Sequence, residues 1–306
     1  MRLSKIVQVL SAVVLGATAL AGTTGHGSAS ASAANVTRSP GYWLVARDGG
    51  VFAFGSAPFL GSATQQCTMQ CWGIGATGTG NGYWVVDNDP FNNPSATSLY
   101  GFGDAVGVSV PNESSGGATA VASTPSGRGG WILYGMTGQV VPFGDATSYG
   151  DGTSIHHRST TWPPFGSAIP YFSGIASTPD GAGYWLVGID GGVFAYGDAS
   201  YHGSMGGRTV NAPVAGIART TDGHGYWLVG WDGGVYAFGD APFSGSVGDK
   251  PLNALMIGIA GNPDGPGYWT VGQDGGVFAF GDAPFLGSMA NHSPPIQPVF
   301  GIAANG

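Results

Sequence analysis

The segment Pro213–Ser246, PVAGIARTTDGHGYWLVGWDGGVYAFGDAPFSGS, returns almost verbatim along the chain, so the fold has to be one that repeats. Its landmarks are Gly-Ile-Ala, Gly-Tyr-Trp-Leu-Val, Asp-Gly-Gly-Val-Phe/Tyr-Ala-Phe-Gly-Asp-Ala and Phe-x-Gly-Ser, and the unit Met256–Ser288 carries the same four with Thr270 in place of Leu. The Trp of the second landmark stands at Trp43, Trp84, Trp131, Trp185, Trp227 and Trp269, at spacings of 41, 47, 54, 42 and 42. A period near 42 belongs to propeller blades or helical arrays. Helices are excluded by Gly-rich breaks every few residues and by alternating aromatic and β-branched runs.

Each unit reads as four short strands, A to D from inside to outside. In the clearest unit A is Gly216-Ile217-Ala218, B is Tyr226–Val229, C is Val235–Phe238 and D is the Phe243-x-Gly-Ser run. The B–C and C–D connections are of hairpin length. The D–A connection is the long one, as it must be. Crossing a four-stranded blade covers roughly 14 Å, and two residues reach at most about 7 Å. Gly-Ile-Ala therefore lies nearest the axis. Strands B and C are apolar on both faces, which suits sheets packed between neighbouring sheets.

Strand B begins at Tyr42, Tyr83, Gly130, Tyr184, Tyr226 and Tyr268, and strand A at Gly73, Ala120, Gly174, Gly216, Gly258 and Gly301. The two series are offset by one, so Val299–Ala303 must complete the blade that Tyr42 opens. The expected fold is all-β: a six-bladed β-propeller of four-stranded blades, its ring closed by the C-terminal strand completing the N-terminal blade. Closure removes the exposed edges that an open array would leave.

The first 34 residues are a separate matter. Arg2 and Lys5 precede the apolar run Ile6–Ala21, and Ala29-Ser30-Ala31 and Ala31-Ser32-Ala33 offer small-residue cleavage sites. Residues 1–34 thus read as a secretory signal peptide, with the apolar run short for a membrane span, and 35–306 as one propeller domain. Without the signal, seven basic residues face seventeen acidic ones, which argues against nucleic acid and anionic membranes as partners. Export makes Cys67 and Cys71 an expected disulfide, and no further ligands stand near them to favour zinc. The expected location is extracellular or wall-associated, and the expected state a monomer without cofactor or metal.

Chemistry is thinly represented. Thirteen of the sixteen Asp residues fall in repeated turns: Asp48, Asp89, Asp190, Asp232 and Asp274 between B and C, Asp104, Asp145, Asp198, Asp240 and Asp282 between C and D, and Asp180, Asp222 and Asp264 between A and B. Asp there bonds nearby backbone. A calcium site on one of these rings is the alternative. Glu113 is the only Glu, so a paired-carboxylate glycosidase would need Asp residues without distinguishing context. His156 and His157 are adjacent and point opposite ways in an extended segment, while His202, His224 and His292 are scattered. The Gly-x-Gly-x-x-Gly match at Gly73–Gly78 is a strand and its turn with no helix to follow.

Irregularity is concentrated in blades 1 to 3: Cys67–Trp72, Asp87–Ser98, the stretch around Asn112–Ser115, and Thr153–Ser173. These are B–C turns and D–A links, which emerge on one face. The same face receives the three Trp outside the repeat, Trp72, Trp162 and Trp231. The ordinary role of such residues is as lids over their own blades. The functional role is a recognition surface on a rigid scaffold, and its candidate ligand-binding residues are Trp72, Phe91, Trp162, Phe165, Tyr171, Trp231, His156 and His157. Rigid rings suit the apolar faces of sugars, with Asn92, Asn93, Ser95 and Asn112 beside them for hydroxyls.

The pattern GYWLVGxDGGVFAFGDAxFxGS resembles repeats found in exported actinobacterial proteins, alone or beside hydrolase and wall-associated domains, and the resemblance spans nearly all of the chain after the leader. It implies export but no particular activity. Thr178-Pro179-Asp180 to Trp185 and Thr220-Thr221-Asp222 to Trp227 also resemble the Asp-box turns of six-bladed sialidases. Ala182 and His224 stand at the box glycine, and the arginine triad and Tyr/Glu pair of that family have no counterpart here. The DGGVFAFGDA run is similar to chromosome-condensation-regulator propellers, whose repeat is longer. Three functions remain to be weighed: a non-catalytic binding propeller for a cell-surface, wall or environmental ligand such as a glycan; an exported hydrolase or lyase built from His156 or His157, Glu113 and Asp87 in the loops of blades 1 to 3; and a structural spacer. Fold alone does not choose among them.

Overall fold

Alternating apolar residues bounded by Gly-rich turns keep every strand short and most connections tight. The computed structural model describes residues 39–67, 70–88, 97–110, 117–155, 171–290 and 297–306, and none of these is helical. Residues 1–34, the expected leader, lie outside them. β1 (Gly41–Ala46) and β2 (Val51–Gly55) form a hairpin, and β3 (Cys71–Ala76), β4 (Gly82–Asn88), β5 (Thr97–Gly103) and β6 (Val108–Val110) a four-stranded meander. Three three-stranded meanders follow: β7 (Ala118–Ser123), β8 (Gly130–Tyr134), β9 (Gln139–Phe143); β10 (Phe172–Ser177), β11 (Gly183–Gly188), β12 (Val193–Gly197); and β13 (Val214–Arg219), β14 (Gly225–Gly230), β15 (Val235–Gly239). A fourth is β16 (Met256–Gly261), β17 (Tyr268–Gly272), β18 (Val277–Phe280). The last strand, β19 (Val299–Ala304), pairs with β1 from Tyr42↔Ala304 to Ala46↔Val299, as the offset between the landmark series requires.

The inner strands neighbour one another in the order β3, β7, β10, β13, β16 and β19, and β19 also lies against β3. Their glycines are set by this crowding. A Cβ on Gly75 would stand 2.8 Å from the carbonyl oxygen of Val121 on the next inner strand, and one on Gly301 would stand 3.2 Å from the amide of Ile74.

The repeat Trp is explained by its cross-strand neighbours. Trp227 pairs with Ala218 on the inner side and Ala237 on the outer side, and Trp43, Trp185 and Trp269 have the same two alanines. Trp84 lies between Gly75 and Gly101. Each of these five indoles thus crosses a slot cut by small residues, while Trp131 lies between Ala122 and Pro142. All six are buried. Every indole Nε1 donates to a backbone carbonyl beyond its own outer hairpin strand: Pro58, Val106, Thr147, Ser200, Pro242 and Pro284, at 2.7–2.9 Å.

The Tyr beside each Trp reaches the other way. Tyr83, Tyr226, Tyr268 and Tyr42 donate their hydroxyls to Gly61, Gly203, Gly245 and Gly287 of the preceding sheet's outer segment, and Tyr184 does so to Gly150. Trp and Tyr rings meet between sheets at 5.1–5.7 Å in the pairs Trp43–Tyr83, Trp131–Tyr184, Trp185–Tyr226, Trp227–Tyr268 and Trp269–Tyr42. Where Gly130 replaces the Tyr, Phe143 takes the place against Trp84 at 5.3 Å.

Among the described residues the expected fourth strand forms only once, as β6 against β5. In five other sheets the outer segment carries a glycine with φ between +118° and +135°, at Gly61, Gly150, Gly203, Gly245 and Gly287, which an extended ladder cannot accommodate. Gly107, in the sheet that does form the strand, is not among the glycines of positive φ. Elsewhere the segment is fastened by the indole and Tyr hydroxyl bonds and by single amides such as Met205 N to Gly191 O, 2.9 Å.

Candidate functional site

The strand order puts the inner-to-middle turns and the connections after each outer hairpin strand at one end of the sheets, here the turn face. The middle-to-outer hairpin turns and the long returns to the next inner strand are at the other end, the link face. A cavity of about 280 Å³ lies between the six inner strands and is walled by residues of all of them.

Every inner strand has a bulge where it enters from the link face. The register skips one residue at Trp72, Thr119, Ser173, Ala215, Ile257 and Phe300. A bulged residue is left out of the ladder and re-aimed. All but Trp72 wall the cavity, and the Trp72 ring packs on Phe300 at a centroid distance of 5.1 Å. Sequence reading began each inner strand at the following Gly or Ala and so missed this ring. The signal was present: the bulge residue varies between Trp, Thr, Ser, Ala, Ile and Phe in units that are otherwise nearly constant.

Trp72 therefore belongs to β3 and not to the link before it, and it is half-buried. Its Nε1 is buried without a hydrogen-bond partner among the described residues. Trp231 sits in the turn after β14, where its amide donates to Pro213 O at 2.9 Å and its carbonyl accepts from Met256 N at 3.0 Å, so its backbone ties two sheets together. Tyr171 is also half-buried, packed on the cluster that holds Trp131 and Phe172. Phe91, Trp162, Phe165, His156 and His157 lie outside the described residues, as do Asn92, Asn93, Ser95, Asn112 and Glu113. Cys67 and Cys71 stand at disulfide distance, Cα atoms 5.9 Å apart, at the entrance to β3. Asp87, proposed for hydrolase chemistry, is buried at the end of β4 and accepts from Tyr100 Oη at 3.1 Å.

The turn Asp residues do what their positions imply. Oδ1 of Asp48, Asp190, Asp232 and Asp274 accepts from the amide two residues on, at 2.9–3.0 Å. On the turn face the outer Asp reaches across to the inner turn: Asp145 Oδ1 accepts from Thr124 Oγ1 at 2.8 Å and Oδ2 from Ser126 Oγ at 2.5 Å. The Ser126 bond foremost holds the Asp145 carboxyl below its usual range. Asp180 is likewise held down, by the Ala182 amide and then Thr178, while desolvation and the charge of Asp180 push Asp198 up. Thr220 Oγ1, the His224 amide and the His224 side chain hold Asp222 well below the carboxylate range. Asp222, His224 and Asp240 bring ligand-type atoms within 4.8 Å of one another, all exposed. Asp222 there serves Thr220 and His224.

No protein-family model matches the chain, and no curated protein matches it. Among solved structures it is similar to a chain in the crystal structure of a nidogen/laminin complex, at 10% identity and a TM-score of 0.53, covering 87% of this chain and 98% of that one. Likeness at that identity speaks to fold alone. Together with the six antiparallel sheets and their shared Trp and Tyr fastenings, it makes this a β-propeller-like repeat fold.

Proposed function

We propose that the chain is an exported, non-catalytic binding propeller whose six sheets close into a ring through β19, each completed outside by its fastened fourth segment. It takes a ligand of the cell surface, wall or surroundings at the link face, with a glycan as the chemistry that the rings there favour. The observation that carries this reading is the Trp72–Phe300 pair at the link-face end of the cavity, 5.1 Å between centroids, with Ile257 in the same bulge ring and Thr119 and Ser173 as its hydroxyl-bearing members. An apolar arc beside hydroxyls is what a sugar with C–H faces and OH groups would meet. Support at the level of fold comes from the similar structure, itself a complex between binding partners. The links that carry Phe91, Trp162, Phe165, His156 and His157 connect strand ends on the same face.

The test is a glycan array probed with purified protein, followed by variants. Trp162→Ala is expected to weaken retention at an unchanged melting temperature. Trp72→Ala is expected to weaken it too, and, because its ring packs on Phe300, to lower the melting temperature by about 2–4 °C per kcal/mol lost. His224→Ala, exposed on the turn face, is the control and changes neither. Retention that survives both Trp changes removes the link face from the function.

A further inference from the structure

The opposite end of the cavity carries a feature that the repeat does not explain. At the last position of the six inner strands stand Ala76, Ser123, Ser177, Arg219, Gly261 and Ala304, so one unit alone replaces a small residue with arginine. Arg219 is half-buried and forms part of the cavity wall. Its Nη1 donates to the carbonyls of Thr220 and Thr221 at 3.0 and 2.9 Å. Those two bonds fix the plane of the group. The Nε and Nη2 edge, the fork that grips a carboxylate with two parallel bonds, has no hydrogen bond to the described residues.

Nor is the charge matched nearby. Among the described residues no carboxylate comes within ion-pair distance of the guanidinium. Asp222, the nearest acid in its electrostatic influence, is occupied by Thr220 Oγ1 at 2.8 Å and by the amide and Nδ1 of His224, both at 3.1 Å. A guanidinium drawn from water without a counter-charge is costly to hold. Desolvation accordingly pushes its pKa down.

We propose that the turn-face end of the axial cavity binds a small, singly charged carboxylate with a polyol body, a sugar acid, held in two bonds by the Nε and Nη2 edge of Arg219. The size fits. A cavity of about 280 Å³ is near the lower bound of roughly 300 Å³ for small-molecule sites, too small for a folded partner. The polyol follows from the wall: Ser177 on the neighbouring inner strand, whose Oγ donates to Ser123 O at 3.0 Å and keeps its lone pairs to accept, and Ser123 on the strand beyond it line the same end of the cavity, and each inner strand is a sheet edge whose alternate amides and carbonyls face away from its single partner strand. The single charge follows from the surroundings. The turn Asp residues, Asp145, Asp180, Asp222 and Asp240 among them, gather on this face, and their field penalises a dianion about twice as much as a monoanion.

Three sugars of one body and different charge test this: glucose, glucuronate and glucose 6-phosphate, titrated into the protein with isoleucine methyls labelled for NMR. Glucuronate is expected to shift Ile175, Ile217 and Ile259, which wall the cavity, and to leave Ile132 and Ile189 in place. Glucose is expected to shift none, and glucose 6-phosphate to bind more weakly than glucuronate. Arg219→Met, which keeps the stem and loses the charge, should weaken glucuronate by about tenfold or more. Arg219→Lys, which keeps the charge and loses the fork, should fall between the two and guards against a folding defect in the Met variant. The site is overturned if glucuronate shifts no cavity methyl, if glucose binds equally, if the phosphate binds more tightly, or if both variants bind glucuronate as the parent does.

Discussion

Trp227 shows what one residue does in this chain. It is 1% exposed, crosses between Ala218 and Ala237, meets the tilted Tyr268 ring at 5.1 Å and donates to Pro242 O at 2.8 Å. Trp227→Ala removes packing from two sheets and frees the outer segment of one, and should cost about 3–5 kcal/mol in urea denaturation. A loss below about 1 kcal/mol would show that the slot refills or that the ring is not core. Asp residues act at the same scale with smaller reach. They were legible as turn residues from spacing, but the sequence did not show that those on the turn face bond across to a second turn.

At the scale of the element, the middle strand is the unit of assembly. Its Trp faces its own outer segment and its Tyr the outer segment of the sheet before. The Tyr hydroxyls tie this arrangement to pH. Burial pushes Tyr42, Tyr184 and Tyr226 from 10.0 up to about 12, against smaller opposing contributions from backbone hydrogen bonds. The sign follows directly. A tyrosine pKa raised by folding means that the unfolded chain loses its proton first, so the contribution to stability is whole below pH 10 and drains away as pH rises toward about 12. Urea midpoints should therefore stay level up to about pH 9 as far as these groups are concerned and then fall steeply, with tyrosinate absorbance rising together with unfolding. Tyrosinate assigned to Tyr42, Tyr184 or Tyr226, as the absorbance lost in the Phe variant of each, that grows in at about pH 10 in a still-folded protein would mean that these hydroxyls are not held as described.

For the whole molecule the decisive element is β19. It supplies the inner partner of β1, and Asn305 beyond it donates its amide to Gly41 O at 3.1 Å and Nδ2 to Ser56 Oγ at 3.0 Å. Deleting residues 299–306 exposes the inner edge of β1 and uncovers the buried Tyr42–Ala46 run. The truncated chain should aggregate and melt far below the parent. A monomer with the parent's melting curve would show that the N- and C-terminal strands need not share a sheet. Among the described residues no helix is long and apolar enough to cross a membrane, so the strands alone carry the architecture.

The repeat, the number of sheets, the identity of the inner strand and the pairing of the last strand with the first were determined by sequence alone. They depend on periodicity and chain connectivity, which a sequence states outright: small residues near the axis, a Trp at each middle strand and a terminal strand without a partner. The fourth strand, the inner bulges and the solitary arginine were decided by tertiary structure. The run Phe-x-Gly-Ser reads as extended until Gly61 and its equivalents take positive φ to meet a Tyr hydroxyl from another sheet. Trp72 reads as a loop residue until the bulge in β3 turns it onto Phe300, some 230 residues away in sequence. Arg219, which the sequence does not single out, gains its setting only when six strands from distant parts of the chain enclose a cavity beside it. For the outer segment and for Trp72 the deciding contact is between residues of different sheets, and for Arg219 it is enclosure by all six inner strands; no local pattern encodes either.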